Sequence, residues 1–200
     1  MKLTFQLLFI FLSNITFSQD YREATIIFND SSRVKGFGEI IGNTIYFKLK
    51  QEAKPEKWSY DIAKGLLYSG YGYSEKYEYV KFENNKKPKL MEVIEEGKLT
   101  LYKDSKAIYR DDSKFFEDGK FLSRRYSTTY SKQIYYVKRK NAEFATDITF
   151  SFKFRSKIFF SDCKQIIEKI NNGKFHKKNI PEMIYYYNDY CDESENEDIN

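Results

Sequence analysis

Cys163 and Cys191 are the only cysteines of the 200-residue chain, and His176 is its only histidine. Those counts limit the chemistry at once. A zinc site gathers three or four histidine, cysteine or carboxylate ligands, and a histidine-assisted nucleophile would have to recruit His176, which lies in GKFHKK with no cysteine or second histidine close in sequence. No GxxxxGK[ST] phosphate loop occurs, and GFGEIIG (Gly36 to Gly42) lacks the spacing and the strand-to-helix setting of a dinucleotide-binding turn. The remaining catalytic resource is a set of paired acids, Glu95-Glu96, Asp111-Asp112 and Glu117-Asp118. A glycosidase needs two carboxylates about 5 to 10 Å apart on one cleft, whereas neighbours on a strand point to opposite faces. No catalytic residue, metal ligand or organic cofactor is assigned on these grounds.

Binding chemistry is better supplied. YSGYGYSEKYEY, Tyr68 to Tyr79, carries five tyrosines in twelve residues and follows Trp58, the single tryptophan. Trp58, Tyr68, Tyr71, Tyr73, Tyr77 and Tyr79 form a candidate binding surface, because stiff aromatic faces beside basic groups stack on sugars or peptides at low entropic cost. Tyrosine is equally a residue of half-buried strand faces. Charge points the same way as the aromatics: between Gln19 and Cys191 there are 33 Lys and Arg against 24 Asp and Glu, a net of +9. Such a body suits a polyanionic envelope polysaccharide, or another envelope protein, as partner. No basic run has the density or spacing of a nucleic-acid module, so nucleic acid is excluded as a partner.

The compartment is read from MKLTFQLLFIFLSNITFSQD. Lys2 precedes an apolar run, Leu3 to Leu12, and small or polar residues at Thr16 and Ser18 lead to Gln19. This is the layout of an export signal over residues 1–18, too short and too soon polar for a membrane anchor. No later stretch is apolar enough for an integral membrane segment, and the product is expected in the periplasm or outside the cell. Asp192, Glu193, Glu195, Glu197 and Asp198 make residues 192–200 an acidic tail expected to be disordered.

Residues 19–191 then suffice for one domain with one core. TIYFKLK (Thr44 to Lys50) alternates as a strand does, and Gly42-Asn43 before it is the two-residue turn of a tight hairpin. Further strands are read at Ala24 to Phe28, Tyr77 to Phe82, Leu90 to Ile94, Lys98 to Tyr102, Gln133 to Arg139 and Ile148 to Phe154, with a polar stretch from about Asp111 to Lys132. The period changes only after Phe160. Cys163, Ile166, Ile167 and Ile170 then fall on one helical face, with Ser161 as N-cap and Asn172-Gly173 as stop. A second helix starts near Asn179 or Ile180, with Pro181 in its first turn and Glu182 set for a capping box, and lines up Ile180, Ile184, Tyr187 and Cys191.

The expected fold is therefore α+β and mostly β: an antiparallel sheet, sandwich or roll of about eight strands, closed by a helical hairpin over about residues 161–191. In that hairpin Cys163 opens the first helix and Cys191 ends the second. Antiparallel packing brings them together, and an oxidising compartment favours a disulfide over two buried free thiols.

The order of leader, strand-rich body, LMEVIEEGKLTLY (Leu90 to Tyr102), FFSDCKQIIEKI and YYYNDYC resembles a family of uncharacterised exported proteins of Gram-negative bacteria with AT-rich genomes. The resemblance implies export and carries no activity, cofactor or catalytic residue. The reading is an exported, non-enzymatic envelope protein. Two alternatives stand beside it: an envelope hydrolase using paired carboxylates, and an inhibitor or immunity-like module.

Overall fold

The computed structural model describes residues 21–191 apart from 71, 86, 112–114, 118–119 and 123–126, so residues 1–18 read as an export signal, Tyr71, Asp112, Asp118 and the acidic tail lie outside the described residues. The chain is α+β and mostly strand. Ten strands form one open antiparallel sheet, in the order β12-β11-β8-β7-β6-β5-β1-β2-β3-β4, and two more form a separate hairpin. In chain order these are β1 (Arg22–Phe28), β2 (Arg33–Ile41), β3 (Thr44–Lys48), β4 (Glu56–Trp58), β5 (Ala63–Gly70), β6 (Tyr73–Val80), β7 (Lys89–Glu95) and β8 (Leu99–Asp111). The paired β9 (Phe115–Glu117) and β10 (Lys120–Leu122), β11 (Ser127–Arg139) and β12 (Thr146–Asp147) complete the set. The polar stretch read between Asp111 and Lys132 is thus largely strand: β8 and β11 pair over 13 residues each, from Ser127↔Asp111 to Arg139↔Leu99. Its polar side chains concealed the pattern, because alternation reads as a strand only where one face is apolar.

The turns follow local chemistry. Ile41 and Thr44 pair across Gly42-Asn43, with Gly42 at φ 62° as the two-residue turn demands. Between β1 and β2 the Asp30 carboxylate accepts from the Ser32 N–H (2.9 Å) and hydroxyl (2.6 Å). One row of side chains, Val34–Ile26–Leu66–Tyr77–Glu92–Lys103–Tyr135, crosses seven strands on a single face. Both larger cores lie on that face. The first gathers Ala24, Ile26, Ile45, Phe47, Ala63, Leu66 and Tyr68; the second joins Leu99, Leu101 and Val137 to the helices. Between them in this row sits the Glu92–Lys103 ion pair, at 2.6 Å. A third cluster, Val80, Phe82, Met91, Tyr102 and Ala145, packs with Val93 and Tyr136, whose registry with Tyr102 places them on the opposite face.

The first core exists because the sheet bends. Gly36 passes so close to the Lys48 carbonyl and the Phe47 ring that a Cβ there has no room. The β2–β3 turn then reaches strands that are not its neighbours. The Asn43 side chain donates to the Pro88 carbonyl (3.0 Å) and accepts from the Leu90 N–H (2.6 Å), and the Tyr79 hydroxyl donates to the Asn43 carbonyl (2.9 Å).

Three helices follow: α1 (Phe152–Phe159), α2 (Lys164–Asn171) and α3 (Ile180–Tyr190). Here two expectations are corrected. Ile148 to Phe154 alternates but is not a strand. The Asp147 carboxylate accepts from the Thr149 and Phe150 N–H groups (2.7 and 3.1 Å), and Ser151 takes a left-handed conformation, which ends β12 and starts α1. Apolar Phe150, Phe154 and Ile158 recur every four residues, so the same letters also satisfy a helix. The N-cap of α2 is Cys163, not Ser161, because Ser161 and Asp162 belong to the turn that follows α1. The stop at Asn172-Gly173 and the start of α3 at Asn179 fall where expected, Gly173 at φ 74° and Asn179 donating to Glu182 at 3.0 Å. That last bond joins two side chains; the backbone contacts of a capping box are not made. Ile166, Ile170, Ile180, Met183, Ile184 and Tyr187 are all buried in the second core.

Candidate functional site

The aromatic residues singled out in the sequence divide between the bent half's interior and its two mouths. Tyr68, on β5, is 7% exposed, and Tyr77 and Tyr79, on β6, are half-buried against the same core. Alternation sends all three to the concave face: Tyr77 pairs with Leu66, and Tyr68 with Ala24. Tyr73, at the start of β6, is 55% exposed. Burial pushes the Tyr77 hydroxyl up to about 12, helped by the carboxylates of Glu92 and Glu75, and burial likewise raises Tyr79 to about 12. Both are neutral hydrogen-bonding groups at any physiological pH.

One mouth, of about 470 Å³, is lined by Arg22, Glu23, Tyr68, Ser69, Gly70 and Tyr73. Arg22 lies over the Tyr68 ring, 3.7 Å from guanidinium carbon to centroid, and grips Glu75 with both terminal nitrogens (2.7 and 3.3 Å). The Arg22 hydrogen bond holds the Glu75 carboxyl below its ordinary range against a smaller opposing effect of burial. Tyr68 is raised chiefly by burial, with Arg22 acting against it. A flat aromatic face, a planar guanidinium fixed over it and an exposed tyrosine at the rim thus share one opening.

The other mouth, of about 310 Å³, collects Ile26, Phe28, Val34, Phe47, Leu49 and Trp58, with Lys48, Lys54 and Glu56 among its polar lining. Phe28 meets Trp58 edge to face at 5.3 Å. The Trp58 Nε1 is buried and finds no acceptor. An indole N–H can only donate, so Trp58, at the wall of this apolar pocket, carries an unsatisfied buried donor. Lys48 is already held by the Gln51 carbonyl at 2.5 Å and stacked on Tyr21 at 4.3 Å.

The other sequence candidates lie elsewhere. His176 is exposed at the cap of a short 3-10 turn, Lys177–Asn179. Of the paired acids, Glu96 is tied to Lys76 at 2.6 Å, and Asp111 and Glu117 are described by backbone alone. Among the described residues there is no cluster of three or more His, Cys, Asp or Glu able to hold a metal. Cys163 and Cys191 are joined in a disulfide, with Cα atoms 5.6 Å apart, as the paired-helix reading requires. Sequence reading missed Arg22 and the small pocket beside Trp58. The signal available was the alternation of Arg22 with Ala24 and Ile26, which places the guanidinium at the border of the core face. No family model matches the chain, and neither a curated protein nor a solved structure matches it.

Proposed function

We propose that the chain is an exported, non-enzymatic envelope protein that binds envelope polysaccharide at the Arg22–Tyr68–Tyr73 mouth. The observation that carries this reading is the fixed stack of Arg22 on Tyr68, next to exposed Tyr73. Aromatic faces cover the apolar side of a sugar ring, and guanidinium and carboxylate edges take its hydroxyls or acid groups. The net positive body adds long-range attraction for an acidic polymer. Export is supported by the leader and by the disulfide, a bond that persists in oxidising compartments. Among the described residues no helix is long and apolar enough to cross a membrane.

The test is a pull-down of the chain lacking residues 1–18 on acidic polysaccharide and on peptidoglycan. Retention that falls at least about tenfold in Tyr73→Ala and in Arg22→Ala is expected, from the one to two aromatic or charged contacts each removes. Equal retention of both variants and the parent would remove this mouth as the site. A second reading, a small apolar ligand in the pocket beside Trp58, is favoured by its lining of Ile26, Phe28, Val34, Phe47 and Trp58. It is tested by quenching or shift of Trp58 fluorescence with a titrated medium-chain fatty acid.

A further inference from the structure

Helix α1 is built the wrong way round for a core element. Its only buried residue is Ser156, while Phe154 and Ile158 are 70% and 62% exposed, and Phe150, one residue before the N-cap, is 67% exposed. At 3.6 residues per turn the step from 154 to 158 advances by about 40°, so these two side chains share one face of the helix, and exposed Phe150 stands in the turn that leads into it. Together they present on the order of 400 Å² of apolar surface, taking about 200 Å² for each large side chain. An apolar area of that size is in the range of the largest patch on a monomer, which is often functional. The charges beside it are of one sign: the helix sequence FKFRSKIF holds Lys153, Arg155 and Lys157 and no acid. Arg155 is anchored by its bond to the Asp147 carbonyl at 3.0 Å and lies 5.5 Å over the Phe150 ring. Lys153 is exposed and Lys157 half-buried, and neither enters an ion pair among the described residues. The disulfide and both binding mouths involve other elements, so the stripe is not explained by them.

We infer that α1 is a peripheral membrane anchor, which lays Phe150, Phe154 and Ile158 into the interfacial zone of an anionic bilayer while Lys153 and Lys157 meet lipid phosphates. A short basic helix with large apolar side chains on one face has the required chemistry, since apolar insertion and attraction to anionic lipid add. An acidic protein groove would offer complementary charge as well, but a bilayer interface takes exposed apolar side chains beside lysines without needing a shaped partner surface. This anchoring is independent of polysaccharide binding, because the two surfaces share no residue.

The experiment is flotation of the oxidised chain lacking residues 1–18, so that the leader does not contribute, with vesicles of phosphatidylcholine alone and of about two parts phosphatidylcholine to one of phosphatidylglycerol. Partitioning onto the anionic vesicles, weakened by salt, is expected. Phe154→Ser with Ile158→Ser should weaken it at least about tenfold with the circular dichroism spectrum and melting temperature unchanged, since both side chains are largely in water. Lys153→Glu with Lys157→Glu should abolish the preference for anionic lipid by a similar factor. No partitioning of the parent chain, or partitioning equal in the Ser variant, overturns the inference. Concentration-dependent dimerisation that the Ser variant abolishes, without vesicle binding, would assign the stripe to a second copy and overturn it too.

Discussion

The two larger cores share one face of one sheet and are shut by different means. From β1 to β6 the sheet bends over its own side chains, and its closing contacts are hydrogen bonds from Asn43 and Tyr79. Over β7, β8 and β11 the same face is covered by α2 and α3 and fastened by the Cys163–Cys191 disulfide. The fastened half adds a polar knot: Arg139 donates to the Tyr187 hydroxyl and the Phe159 carbonyl (2.9 Å each) and pairs with Asp162 (2.8 Å), which also accepts from Tyr187 (2.6 Å). The bent half keeps two mouths open to solvent. The difference teaches how each kind of closure shapes the openings beside it. The openings at the rims of the bent half are lined by aromatic side chains, whereas the opening beside the lid is lined by Gln133, Tyr135, Thr149, Lys177 and Lys178.

The sharpest way to break this comparison is to remove the disulfide. For a closed loop of 28 residues, chain entropy assigns about 3.6 kcal/mol, a model-dependent figure. Cys163→Ser with Cys191→Ser should lower stability by roughly that amount. Trp58, the only tryptophan, sits in the bent half, so its fluorescence follows one half and the 222 nm ellipticity of the helices follows the other. In the Ser variant the helical signal should be lost at lower denaturant concentration than the Trp58 signal. Coincident transitions would mean that the halves unfold as one unit and that the distinction between them is only geometric.

A middle-sized effect is expected at the seam between lid and sheet. Asn188 of α3 imitates a strand neighbour: its side chain accepts from the Leu99 N–H (2.9 Å) and donates to the Leu99 carbonyl (3.1 Å). A Cβ on Gly97 would fall 2.5 Å from the Asn188 Cγ. Gly97→Ala must displace an amide already committed to two bonds, at a cost of about 1 to 3 kcal/mol. Asn188→Ala alone loses those bonds at a similar cost. The double variant should cost less than the sum of the two, because the clash disappears with the amide. Additive losses in urea melts would show that Gly97 matters for a reason other than Asn188.

These regions differ in how far they could be read from sequence. The lid was legible, because Ile166, Ile170, Ile180, Ile184 and Tyr187 repeat with helical period and the two cysteines fall at compatible ends. The Gly42-Asn43 hairpin was legible from its turn residues. The bend was not: it depends on Gly36 meeting the Lys48 carbonyl and on Asn43 reaching Pro88 and Leu90, contacts 12 to 47 positions apart that leave no local period. For the same reason the tyrosines read as one surface are distributed between an interior and a mouth. Ile148 to Phe154 failed differently, because its letters satisfy both periods and a single carboxylate, Asp147, decides between them.

The smallest expected effect concerns alkaline pH and one tyrosine of the bent half. An unfolded tyrosine ionises near 10, whereas Tyr77 and Tyr79 stay neutral up to about 12 because burial penalises the phenolate. Between those limits the unfolded chain has lost protons that the folded chain retains. Stability therefore falls as pH rises from about 10 to about 12, and is unaffected by these groups below about 10. Tyr77→Phe removes one of several such titrations, since burial raises Tyr68, Tyr102 and Tyr187 as well, and should make the fall shallower by less than about 1 kcal/mol, since a half-buried group is partly screened by water. It is the cleaner substitution, because the Tyr79 hydroxyl also donates to the Asn43 and Trp58 carbonyls (2.9 and 3.3 Å) and its loss would loosen the closure at every pH. The measurement is the urea midpoint by Trp58 fluorescence from pH 8 to pH 12 for parent and variant. Parallel curves would place the Tyr77 phenolate in water and open the interior of the bent half to solvent. A shallower curve for Tyr77→Phe that leaves the 222 nm signal of the lid unchanged would assign the Tyr77 share of the alkaline loss to the half closed by hydrogen bonds.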